Sequence, residues 1–114
     1  MHKYCLLLLL PSLVMARDFP EKHYQEQWCK GKVEHVLPDR ARVDCLTSEY
    51  AIEIDFADKW AESIGQALYY ANETGRKPGV VLILESPGRD ARYLTRFHNA
   101  SQGLGITLWV IVPE

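Results

Sequence analysis

The sequence predicts a mixed α/β domain: one central sheet flanked by helices. Three stretches carry that prediction. "YAIEIDF" (residues 50–56) alternates strictly, with Ile52, Ile54 and Phe56 facing one way and Ala51, Glu53 and Asp55 the other. "PGVVLILES" (78–86) is a continuous apolar run of the kind buried on both faces, which places the central strand there. Between them Trp60, Ile64, Ala67, Leu68 and Ala71 recur at helical spacing, so the middle of the chain spells strand, helix, strand. The chain has 114 residues, enough for one domain and one modest core.

Residues 1–16, "MHKYCLLLLLPSLVMA", combine a basic start (His2, Lys3), a short apolar run broken by Pro11, and a small residue, Ala16, before Arg17. This is the pattern of a secretory signal peptide cleaved after Ala16, and the apolar run is short for a bilayer span. An uncleaved N-terminal anchor is the competing reading. Residues 17–114 then form the single domain, in a secreted or periplasmic protein.

Within the domain, Pro20 suits a first helical turn, and Tyr24 and Trp28 lie four apart on one apolar side of a short helix over 20–30. Val33, Val36 and Leu37 precede a Pro38-Asp39 turn, and Val43, Cys45 and Thr47 alternate with Arg42, Asp44 and Leu46, so two strands follow. "YAIEIDF" is the third strand. Asp58 is placed to cap the next helix, and Gly75 to stop it. After the apolar strand, Tyr93, Leu94 and Phe97 mark a helix over 89–101, Gly103 and Gly105 end it, and "ITLWVIVP" supplies a last strand. The order is α-β-β-β-α-β-α-β, without repeats or linkers.

Without the leader, which takes Lys3 with it, twelve Lys and Arg face fifteen Asp and Glu, a net charge of −3 with histidines neutral. That is not the footprint of a strong nucleic-acid binder; an approach to phosphates would need metal ions or a local basic patch. Cys29 and Cys45 remain after cleavage. In an oxidising compartment such a pair predicts a disulfide, with two packed thiols as the alternative, and CxxC-type zinc spacing is absent.

The chemistry-bearing feature is the acid cluster ahead of the middle helix. Glu53 and Asp55 share a strand face, and Asp44 lies on the preceding strand across the short loop "LTSEY". Carboxylates side by side are unfavourable unless a cation binds or one of them takes a proton; a hard divalent ion, Mg²⁺ or Mn²⁺, is the usual solution in phosphate chemistry. On the helix that follows, Lys59, Ser63, Gln66 and Tyr70 fall within about a 60° stripe. The bland reading of that stripe is a solvated face.

The element order, the spacing from Asp44 to Glu53-Ile54-Asp55, and "QALYY", in which Tyr70 follows Gln66 by four, resemble the PD-(D/E)xK nuclease superfamily and the QxxxY element of its RecB-like branch. The stretch is also similar to small secreted bacterial proteins with an "RxDCLT…AIExDFxxKWAExIGQ" pattern, which supplies a family and no activity. The resemblance implies a restriction-endonuclease-like αβββαβ core with a mixed central sheet plus a C-terminal αβ unit. It implies a Mg²⁺- or Mn²⁺-dependent nuclease acting on nucleic acid, DNA more than RNA. Asp44 and Glu53 match the motif acids as metal ligands, and Glu34 matches the upstream acid. Glu26 competes with Glu34 because the superfamily usually carries that acid on its first helix.

The departure is Asp55, which stands where the family has its lysine. Lys59 is then the candidate ammonium, or Asp55 a further metal ligand, with Gln66 and Tyr70 orienting substrate or water. Rival readings are an inactive nuclease-fold module that binds a partner, and a disulfide-stabilised envelope protein whose acids hold a structural cation. His35 adjoins Glu34 but is lone on its strand, and His23 and His98 have no companions at ligand spacing.

Overall fold

The computed structural model describes residues 17–114; the leader assigned to residues 1–16 lies outside them. The elements follow the predicted order: α1 (Glu21–Trp28), β1 (Lys32–Val36), β2 (Arg42–Leu46), β3 (Tyr50–Phe56), α2 (Trp60–Thr74), β4 (Lys77–Ile83), α3 (Pro87–Ala100) and β5 (Thr107–Ile111). They build one five-stranded mixed sheet in the order β1-β2-β3-β4-β5, flanked by helices. Short turns let β1, β2 and β3 run antiparallel, whereas α2 and α3 are the crossovers that parallel β3, β4 and β5 require. Among the described residues no helix is long and apolar enough to cross a membrane.

β3, not β4, is the middle strand. Both are interior and covered on both faces, as the apolar run of β4 announces. β3 disguises its position because two of its buried residues, Glu53 and Asp55, are acids, each 5% exposed.

Two apolar layers sandwich the sheet. On one face Tyr24 and Trp28 of α1 pack over Ile52, Ile54, Phe56, Val81 and Ile83. On the other, Ala67, Trp60 and Ile64 of α2 and Phe97 of α3 pack over Val80 and Leu82. A third group joins Tyr70 of α2 to Ala51 and Val43. β4 and β5 draw close at Gly79, where a Cβ would lie 2.8 Å from the Trp109 ring.

Two expectations at the start of α2 are corrected. Ala57–Lys59 form a 3-10 turn, so Lys59 precedes the helix instead of riding on it. Asp58 makes no cap hydrogen bond; its carboxylate accepts from Arg17 at 2.7 Å, and the Arg17 guanidinium also lies 3.9 Å over the Phe56 ring. An N-terminal strap therefore captures the side chain meant for the cap. At the other end of α2, Gly75 adopts φ 70°, the left-handed stop expected of it.

Candidate functional site

The acids predicted to act together lie in one row across the sheet. The pairs Val33–Cys45 and His35–Val43 put Glu34 opposite Asp44, and the pairs Cys45–Ile52 and Leu46–Ala51 put Glu53 opposite Asp44 on the other side. The row also marks a break in the sheet. The β2–β3 pairing ends at Cys45–Ile52, and Asp44 Oδ2 accepts the Ile54 backbone N–H at 2.8 Å. Val43 then packs with Ala51 and Tyr70 while Cys45 packs with Tyr24 and Ile52, although residues two apart on a regular strand share a face. β2 turns over at Asp44. On β1, Glu34 sits at φ 56°, a left-handed conformation that costs a non-glycine residue roughly 1–3 kcal/mol and gathers at functional sites.

α1 repairs the break. Gln25, 3% exposed, donates through Nε2 to the Asp44 carbonyl oxygen and to Glu34 Oε2, both at 2.8 Å. Arg42 holds the other Glu34 oxygen at 3.3 Å. One turn before Gln25, Glu21 reaches Asp55 with a side-chain hydrogen bond. The Cys29–Cys45 disulfide ties the end of α1 to the residue after Asp44, so α1 is covalently fixed over the break.

The electrostatics follow from burial without counter-charge. Desolvation pushes the Glu53 carboxyl from its ordinary 4.5 up to about 11, with further pushes from the Asp44 charge and from the hydrogen bond that it donates to Asp44. Glu21 is pushed up to about 9, again by desolvation first, then by its hydrogen bond to Asp55. Asp44 is raised by desolvation and partly held down by its bonds with Glu53 and Ile54. Burial, followed by the Glu53 and Asp44 charges, raises the Tyr70 hydroxyl well above the ordinary tyrosine value, so it stays a proton donor. The cluster thus holds a proton-sharing pair, Asp44 with Glu53, beside a raised Glu21 that is hydrogen-bonded to Asp55.

Among the described residues no three His, Cys, Asp or Glu side chains are gathered as a metal-ligand shell. The donor chemistry nonetheless fits a hard divalent cation, because the groups are all carboxylate oxygens, are largely buried, and carry repulsion that only protons or a cation can relieve. Asp44, Glu53 and Asp55 would hold it, with Glu34 and Glu21 at the margin.

The remaining predicted residues divide. Lys59 is exposed, and its charge acts favourably on Glu21. Tyr70 is buried beside the acids. Gln66, by contrast, is exposed and makes no side-chain hydrogen bond among the described residues. Ser63, Ala67 and Tyr70 form the buried side of α2, and a glutamine one residue before Ala67 cannot share it. Glu26, the candidate on α1, is exposed as well, whereas Glu34 of β1 stands in the row; the α1 acid beside Asp55 is Glu21. Sequence reasoning missed Glu21 and Gln25. Their spacing of four on α1 was the available signal, masked because a buried glutamine is indistinguishable by type from a solvated one. His35 has a buried Nδ1 without a hydrogen-bond partner among the described residues, His23 stacks on Phe19, and His98 contacts Gln102.

No family model, no curated protein and no solved structure matches the chain.

Proposed function

We propose that the domain is a secreted or periplasmic metal-dependent nuclease on a restriction-endonuclease-like core, hydrolysing phosphodiester bonds of nucleic acid, DNA more than RNA. The observation that carries this reading is the row Glu34–Asp44–Glu53 at a break in the sheet, with Asp44 and Glu53 sharing a proton in a buried site poor in cations. The α-β-β-β-α-β order and the mixed five-stranded sheet support it.

Mg²⁺ or Mn²⁺, when bound, would polarise the phosphoryl group and offset its developing charge. The chain's own residues do the rest. Asp44 is oriented by the Ile54 N–H at Oδ2 and by the proton it shares with Glu53. Glu53 would release its shared proton to solvent if a cation occupied the site. Lys59, which already acts electrostatically on Glu21, supplies an ammonium at the rim for the substrate phosphate or the attacking water. The Tyr70 hydroxyl remains a donor toward substrate.

A second reading is a nuclease-fold binding module without turnover. It is favoured by Asp55, which stands two residues after Glu53 where the superfamily motif has lysine, and whose side chain is engaged by Glu21. The deciding experiment is cleavage of labelled DNA and RNA in Mg²⁺, Mn²⁺ or EDTA, beside Asp44→Asn and Lys59→Ala. Metal-dependent cleavage abolished by Asp44→Asn supports the nuclease. Metal-induced stabilisation without cleavage supports a structural cation site, and no metal effect supports the binding module.

A further inference from the structure

We propose that α3 carries a binding track for a single nucleic-acid strand, centred on Arg92, Tyr93 and Arg96. The starting point is a charge that the rest of the molecule leaves uncompensated. Arg92 and Arg96 are exposed, one turn apart on the same side of α3, and among the described residues neither meets a carboxylate. Like charges four apart destabilise a helix. Here they are held together nonetheless: both guanidinium groups lie over the Tyr93 ring, at 5.0 and 5.6 Å from its centroid, and Arg92 Nη2 donates to Tyr93 Oη at 3.2 Å. Tyr93 is itself anchored against the core. Two cations are thus preorganised side by side on a rigid element.

Placement gives the pair its direction. The N-terminal end of α3 packs near the 3-10 turn that leads out of Asp55 and carries Lys59, and Arg89, in the first turn of α3, feels the charge of Asp58 on that turn. The single acid of α3, Asp90, is buried and paired with Arg89. Beyond Lys59 and the Asp90-paired Arg89, the uncompensated positive charges on this side are Arg92 and Arg96, and the stripe ends with the exposed donor Asn99. Along the helix axis Arg92 and Arg96 are about 6 Å apart, a spacing that serves neighbouring phosphates of one extended strand. Complementarity is local: a chain of formal net charge −2 offers a polyanion no general attraction, so binding rests on such a stripe. A single helix face gives one strand a rail but lacks the breadth of charge that a duplex demands.

The track takes its substrate class from the nuclease reading, yet binding tests it separately from cleavage. Protein purified after expression of the whole 1–114 chain is titrated in EDTA with a fluorescent single-stranded oligonucleotide, its duplex, a poly-glutamate peptide and anionic vesicles, over a range of NaCl. The same is done with Arg92→Ala/Arg96→Ala and with Arg92→Lys/Arg96→Lys, each checked by circular dichroism. The expected result is preference for the single strand, with binding weakened on the order of tenfold in the alanine variant. Its log–log salt slope should be shallower by about 1.4, with the slope largely kept in the lysine variant. Unchanged affinity and slope in a folded alanine variant overturn the track, as does tighter binding of duplex, poly-glutamate or vesicles. Adding Mg²⁺ or Mn²⁺ separates the two ideas. Strand binding without cleavage keeps the track and removes the nuclease, whereas cleavage with binding indifferent to Arg92 and Arg96 does the reverse.

Discussion

Asp44 accepts the backbone N–H of Ile54 at 2.8 Å through its side chain, at the level where the β2–β3 pairing stops. One residue thus serves the backbone and the site at once, and substitutions should separate these duties. Asp44→Asn retains an acceptor and is expected to fold with near-native stability while losing any metal response. Asp44→Ala leaves a buried N–H unsatisfied and should cost about 1–3 kcal/mol more, measured by urea denaturation. Equal stability of the two variants would contradict the bridging role.

Gln25 is the counterpart of this contact on α1. Its amide satisfies the Asp44 carbonyl and the Glu34 carboxylate together. Gln25→Ala is expected to lower stability by about 1–3 kcal/mol, whereas Glu26→Ala, on the exposed side of the same helix, should change it by less than about 0.5 kcal/mol. Chemical denaturation of the two proteins side by side makes the comparison.

The pH dependence of the metal-free protein follows from three raised carboxyls, Glu21, Asp44 and Glu53, of which the first and last are raised furthest. Glu21 and Glu53 bind protons more tightly folded than unfolded, with folded values of about 9 and about 11 against an ordinary 4.5. Their contribution is fully present below the unfolded value and is lost as pH rises toward the folded values, so stability should decline from the weakly acidic range into the alkaline range. Glu53→Gln removes one titration and should flatten that decline. Mg²⁺ or Mn²⁺ should flatten it in the parent protein by replacing the shared protons. Melting temperatures across pH 5–9, with and without metal, test both statements; a rise in stability across that range would refute the burial argument.

The disulfide couples stability to the site. Bridging Cys29 and Cys45, sixteen apart in sequence, should stabilise the fold by roughly 3 kcal/mol through loop closure. Cys29→Ser/Cys45→Ser also frees the end of α1, so the effect of Gln25→Ala should shrink in that background. A double-mutant cycle reads this directly, and additive effects would mean that α1 stays seated without its bond.

Lys59 and Gln66 provide a contrast in the proposed chemistry. Lys59→Ala should slow cleavage on the order of a hundredfold, the scale of a removed charge-stabilising donor. Gln66→Ala, at an exposed position, should leave the rate within about twofold. Single-turnover rates on a saturating oligonucleotide decide the matter, and a large Gln66 effect would return that residue to the site.

Alternation in "YAIEIDF", the apolar run of β4, helical spacing around Trp60 and Ile64, and the cysteine pair were enough to read the element order, the mixed α/β class and the disulfide. These are local or nearly local signals, since periodicity records which faces a segment must bury. The row Asp44–Glu53 was legible for the same reason: a short loop between two strands constrains their register.

Tertiary structure alone decided the rest. Glu21 and Gln25 join the site because α1 sits over a broken ladder, and only their spacing of four in "PEKHYQEQWCK" sets them apart from solvated neighbours. Gln66 leaves it because the phase of α2 is set by Ser63, Ala67 and Tyr70 against the sheet. Asp58 forfeits its cap to Arg17, a partner forty-one residues away. Periodic burial is written into consecutive residues, whereas the partner of a polar group is chosen by whichever distant donor the packed fold brings within reach.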